Sequence, residues 1–152
     1  MNRNFKNPLT YALYLLELRD RSVGEIKDKM RRKKFSNDEI VKTIDFLLLK
    51  NFLDDKKFAD RFMKEKRDLQ HWGSYRIKME LRKKHISDEI IDELFSNQSE
   101  NLEIENAKEA ADLWRRKNSN CPPEKIYQRL GSYLSRRGFS YDIVKDIIND
   151  LN

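Results

Sequence analysis

Cysteine, glycine and proline are scarce in this chain: 152 residues hold 1 Cys, 4 Gly and 3 Pro. The single Cys121 excludes an intrachain disulfide framework and suits a reducing, cytoplasmic setting. No histidine stands beside it in sequence to tune a thiol, so it is read as an ordinary side chain. The shortage of Gly and Pro, together with the absence of alternating β-branched runs, excludes a turn-rich β protein and leaves an all-α fold. Apolar runs such as Phe46 to Leu49 are far too short to cross a bilayer, and no signal peptide is seen. Also missing are a phosphate-cradling glycine loop, zinc-ligand spacing and a His-Glu pair one helical turn apart. His71 and His85 stand alone, and Asp54-Asp55 precedes an apolar helical stripe, where a carboxylate caps a helix. No catalytic residue, metal site or cofactor is therefore expected.

What the chain has in quantity is charge, 38% of residues, beside 38% hydrophobic residues. That apolar share argues against general disorder. The net charge of +6 is unevenly placed: residues 1–52 carry 12 Lys and Arg against 7 Asp and Glu, whereas residues 99–152 carry 9 of each. An N-terminal basic excess favours contact with a polyanion at that end.

A seven-residue stretch occurs three times: Met30-Arg31-Arg32-Lys33-Lys34-Phe35-Ser36, Leu81-Arg82-Lys83-Lys84-His85-Ile86-Ser87 and Leu134-Ser135-Arg136-Arg137-Gly138-Phe139-Ser140. Each has an apolar anchor, a basic run, Phe or Ile, then Ser. Ile26, Ile77 and Leu130 lie four residues before the anchors, one helical turn below them. Glu39-Ile40-Val41, Glu89-Ile90-Ile91 and Asp142-Ile143-Val144 follow. Self-similarity at this period marks a repeat architecture. The expectation is three tandem three-helix repeats, residues 1–52, 53–98 and 99–152, stacked into an elongated, curved body.

Met1 to Asn7 is polar and expected to fray. Pro8 opens a first helix with Leu9, Ala12, Leu13 and Leu16 inward. Ser22 and Glu25 form a capping box for the second. Asn37 or Asp38 is expected to cap the third, with Ile40, Val41, Ile44, Leu47 and Leu48 as its stripe. In the next repeat Phe58, Ala59, Phe62 and Leu69 are assigned inward, Gly73 to a positive φ, and Ser74 to the following cap. Ser96 to Asn101 reads as a linker. Ala107, Ala110, Ala111 and Trp114 form a small-residue face. Pro122 or Pro123 starts the next helix, and Gly138 ends it.

With Ile77 and Leu81 buried, the advance of about 100° per residue puts Arg76 and Lys83 on one exposed flank. The equivalents are Glu25 and Arg32, and Arg129 and Arg136. Arg32, Lys83 and Arg136 thus share one position in all three repeats, and Lys33, Lys84 and Arg137 share the next. In a regular stack they would form a basic row, with Trp72, Tyr75 and Tyr133 near it. The competing explanation is that cations at helix ends only complement the dipole, at about 0.3–1 kcal/mol each.

These residues resemble the RecX family, bacterial regulators of the recombinase RecA. The likeness rests on Ala12-Leu13-x-Leu15-Leu16 with Arg21-Ser22-x-x-Glu25-Ile26, and on Leu53-Asp54-Asp55-x-x-Phe58-Ala59. It continues in Trp72-Gly73-x-x-Arg76-Ile77-x-x-Glu80-Leu81 and Arg136-Arg137-Gly138-Phe139-x-Tyr141-Asp142, and runs from about Pro8 to Leu151. The resemblance implies a modular helical fold without catalysis. It also implies binding in the groove of the RecA filament on single-stranded DNA; a monomer and weak direct DNA binding are expected besides. Strand exchange, ATP hydrolysis and the co-protease activity behind the SOS response would be inhibited. Departures are Gly24 inside a helix, Lys34 and His85 where the family commonly has Gly, and Glu25 in the basic register. The alternative is a basic helical-repeat protein whose main target is nucleic acid.

Overall fold

The computed structural model describes residues 4–151, and among these nine helices and no strand are present. The first unit holds α1 (Pro8–Leu18), α2 (Val23–Arg32) and α3 (Asn37–Leu49). The second holds α4 (Asp55–Asp68), α5 (Ser74–Lys83) and α6 (Asp88–Ser96), and the third α7 (Glu100–Lys117), α8 (Pro123–Arg136) and α9 (Tyr141–Asn149). Each unit encloses its own apolar cluster. Ala12, Leu15, Ile26, Met30, Ile40, Ile44 and Leu47 fill the first. Phe58, Ala59, Met63, Ile77, Leu81, Ile86 and Ile91 fill the second, and Ala107, Ala110, Ala111, Leu130, Leu134, Phe139, Val144 and Ile147 the third.

The thrice-repeated stretch acquires a physical reason here. Lys34, His85 and Gly138 sit just past the ends of α2, α5 and α8 with φ of 69°, 63° and 95°. In each unit this left-handed residue donates its N–H to a carbonyl three residues back, Arg31, Arg82 or Ser135. The following Phe35, Ile86 or Phe139 donates to the anchor carbonyl of Met30, Leu81 or Leu134 at 3.1–3.2 Å. That pair of bonds is the Schellman helix ending, and the apolar residue it delivers packs inward. Ser36, Ser87 and Ser140 then cap α3, α6 and α9 through their hydroxyls. A non-glycine residue in the left-handed region costs about 1–2 kcal/mol, which the first two units tolerate and the third avoids with Gly138.

Several expectations are corrected. Ser36, not Asn37 or Asp38, caps α3, because its hydroxyl reaches the Glu39 N–H at 3.2 Å while Glu39 reaches back. Gly73, not Ser74, is the N-cap of α5, and its φ is −76°. The positive φ of that turn belongs to His71, at 51°. Leu69 is 76% exposed at the end of α4, and Met63 holds the buried place. In α1, Leu15 is buried where Leu13 was expected, and in α3 Val41 and Leu48 face outward, since each lies about 100° around from a buried neighbour. Of the stretch expected to fray, Met1–Arg3 lie outside the described residues. Asn7 caps α1 through Thr10 N–H, and Phe5 packs on Tyr11 and Tyr14. Leu53 lends its side chain to the first unit's cluster.

Candidate interaction surface

The units join end to end through one joint used twice. In both cases the start of a unit's second helix docks on the next unit's first helix and on the Schellman end of its second. Between units one and two, the Ser22 hydroxyl donates to the Lys84 carbonyl at 2.6 Å, and Val23 N–H donates to Asp55 Oδ1 at 2.9 Å. Gly24 lies against His85 so closely that a Cβ there would collide with the imidazole-bearing carbon. Between units two and three, Gly73 N–H donates to the Arg137 carbonyl at 2.6 Å, and Tyr75 N–H to the Gly138 carbonyl at 3.1 Å. Ser74 N–H is taken by Glu103 at 2.8 Å. The register matches: Ser22 corresponds to Gly73, Val23 to Ser74 and Gly24 to Tyr75, while Lys84 and His85 correspond to Arg137 and Gly138. Asp54 caps α4 as expected, through Lys57 N–H; Asp55 is a joint residue.

Both joints use the lone histidines, which sequence reasoning assigned to nothing. His85 Nε2 lies 2.7 Å from Asp28 Oδ2 across the first. His71 Nδ1 lies 2.9 Å from the Oδ1 of buried Asn106 across the second, while Asn106 donates to the Trp72 carbonyl. The one legible signal was Gly24, inside the first turn of α2 where glycine is otherwise unfavourable; Gly73 stands at an N-cap, where glycine is common.

The eight candidate cations divide by these joints. Arg32 and Arg136 are exposed and have no ion pair among the described residues. Lys83 is exposed and, among the described residues, pairs only with Glu80 on its own helix at 3.2 Å. Arg129 is exposed, its guanidinium 3.8 Å from Cys121 Sγ. Lys33 lies over the Tyr11 ring at 5.6 Å. The other three are built into the joints. Lys84 is half-buried, 3.7 Å from Glu25 and over Phe62. Arg137 donates to the Gln70 carbonyl at 2.6 Å and lies over Tyr133. Arg76 stacks on Trp72 at 3.9 Å and reaches the Arg136 carbonyl, so it does not share the open flank of Lys83. Tyr75 is exposed, whereas Trp72 and Tyr133 are half-buried.

Electrostatics concentrate at the first joint. Burial pulls the Glu25 carboxyl up, but the hydrogen bond from Arg19, the Ser22 N–H and the Lys84 charge together hold it below its ordinary value. Asp55 is pushed up, chiefly by burial and further by Asp54, against the bond from Val23 N–H. A cleft of about 410 Å³ opens beside this joint, lined by the cations Arg19, Arg61, Lys66 and Lys84, the aromatic Phe58 and Phe62, and the acids Asp20 and Glu65. Among the described residues no cluster of three His, Cys, Asp or Glu side chains could hold a metal ion. Among the same residues no helix is long and apolar enough to cross a membrane.

Three family models match in order: the first three-helix domain of RecX over residues 9–47, the second over 54–94 and the third over 102–148. The regulatory protein RecX of Clostridium botulinum (strain Eklund 17B / Type B) is 34% identical over 145 residues, covering 91% of this chain. The chain spans 66% of that relative's length. The regulatory protein RecX of Clostridium acetobutylicum is 33% identical, with 97% of this chain and 70% of the relative covered. Among solved structures, the crystal structure of RecX from Lactobacillus salivarius superposes with a TM-score of 0.80 at 26% identity, over 97% of this chain and 96% of that one.

Proposed function

Because the chain belongs to the RecX family of regulatory proteins, we propose that it is a non-enzymatic cytoplasmic regulator of RecA. It binds as a monomer in the groove of the RecA filament on single-stranded DNA. There it inhibits strand exchange, ATP hydrolysis and the co-protease function, and so restrains the SOS response. The observation that carries this reading is the recurrence of Arg32, Lys83 and Arg136 at one register position on exposed helix ends of three serially joined units. A groove that winds around a filament presents the same chemistry at regular intervals, and a repeat protein answers it with matching side chains. Charge that projects into solvent without a close anionic partner from another unit remains available for such a contact.

The test is RecA ATPase on single-stranded DNA with and without the protein. It is repeated with a variant carrying Arg32→Glu, Lys83→Glu and Arg136→Glu, beside a thermal melt. Inhibition by the unaltered chain and its loss in a folded triple variant is the expected result. Full inhibition by the folded variant would return these residues to helix-end cations. The second reading, direct nucleic-acid binding, is favoured by the basic first unit. It would appear as tight DNA binding without RecA that weakens steeply with salt.

A further inference from the structure

The two joints share a register but not a chemistry. Across the second, Gly73 and Tyr75 donate backbone N–H groups to the backbone carbonyls of Arg137 and Gly138. Gly73 and Gly138 are buried there, and neither has room for a Cβ: the Gly73 position abuts Gly138 backbone, and the Gly138 position abuts Arg76. Asn106, also buried, ties α7 to the 71–72 turn. Across the first joint no backbone-to-backbone hydrogen bond is formed among the described residues. Side chains replace them: the buried Ser22 hydroxyl for the Gly73 N–H, His85 with Asp28 (an ion pair only when the imidazole is protonated) where Tyr75 meets Gly138, and Lys84 with Glu25 at 3.7 Å. Arg61 with Asp20, at 2.8 Å, adds a pair that is more than 60% exposed on both sides. Among the described residues only Leu53, just before α4, is buried in another unit's cluster, that of the first; the helices of neighbouring units share none.

We propose that the first joint is a charge-held hinge on which the first unit swings, while the second and third units move as one rigid body. The physical basis is screening. Solvent-facing pairs weaken as the Debye length falls from about 10 Å at 0.1 M salt to about 3 Å at 1 M. Buried backbone bonds between close-packed glycines do not respond to ions in this way. The hinge sets the angle between the basic first unit and the remaining pair. It is a property of the free chain and stands apart from what the chain binds.

The experiment measures distances between paired spin labels in the full chain carrying Cys121→Ser. Lys42→Cys with Asp92→Cys spans the first joint, and Asp92→Cys with Lys145→Cys spans the second; all three positions are exposed. Between about 0.1 M and 1 M salt the first distance distribution is expected to broaden about twofold, while the second keeps its width. Adding Asp20→Asn and Asp28→Asn should reproduce the broad first distribution at low salt, with circular dichroism confirming retained helix. Two results overturn the hinge: equal widths for both pairs at every salt concentration, or equal broadening of both. Should the added substitutions unfold the chain, the salt series on the labelled parent decides alone.

Discussion

Gly73→Ala tests the joint at its tightest point. The backbone there is φ −76°, which alanine adopts without strain, so the change reduces unfolded-state freedom and by itself favours folding by about 0.4–1 kcal/mol. Against that, the new Cβ lands on the carbonyl carbon and oxygen of Gly138 and on the Phe139 nitrogen. These are backbone atoms fixed by the Schellman ending of α8, so they cannot rotate away. Units two and three must separate, and the bonds Gly73 to Arg137 and Tyr75 to Gly138 are lost or stretched. At about 1 kcal/mol for each bond, and about 1–3 kcal/mol for a donor left buried without a partner, the loss outweighs the gain. The net expectation is a destabilisation of about 2–4 kcal/mol in a urea titration. Amide exchange locates the damage: Tyr75 should lose protection while Ile40 and Ile44 keep theirs. A loss below about 0.5 kcal/mol would show that the joint yields easily, and the close approach of the two glycines would then carry no energetic weight.

Leu81→Ala removes a fully buried anchor of the second cluster and should cost about 2–5 kcal/mol, read from the same titration. Cys121→Ser, at a half-buried thiol whose neighbours are the Pro122 carbonyl and Arg129, should change stability by less than about 0.5 kcal/mol. Glu25 has its carboxyl held below the ordinary value of 4.5. It therefore contributes stability that is present above that value and lost as pH falls through its folded value. Glu25→Gln should flatten this part of the acid limb in melts recorded across it, and an unchanged acid limb would remove Glu25 from the joint's energetics. Asp55 has the opposite sign: its raised carboxyl favours the fold below its ordinary value and withdraws that support as pH rises through its folded value. Asp55→Asn should remove that dependence.

The all-α class, the three repeats and most helix starts were legible in the sequence because they depend on local periodicity and on capping chemistry. Ser22 with Glu25, Pro8 and Pro123 at helix starts, and Gly138 past a helix end all stand where expected. The errors fall where a neighbouring unit overrides the local pattern. Ser74 looks like a cap by type, yet its N–H is claimed by Glu103 from α7, and the cap position passes to a glycine kept small by Gly138. Arg76 satisfies a flank pattern by angle, yet Trp72 draws its guanidinium down. Such contacts pair residues tens of positions apart, with no periodic signature to announce them.

The basic helix end therefore has two uses, separated by a single residue. At Lys84 and Arg137 the carbonyl receives the preceding unit, and the side chain turns back onto that unit, toward Glu25 in one case and the Gln70 carbonyl in the other. One position earlier, about 100° around the helix, the Lys83 and Arg136 side chains stay exposed and, among the described residues, make no ion pair with a neighbouring unit. Substitution at the inner position removes a joint contact and alters the surface together, so lost inhibition there would not identify a contact residue. Substitution at the outer position leaves the joint intact. The outer row, Arg32 included, is thus the place where a change in partner binding can be separated from a change in how the units sit on one another.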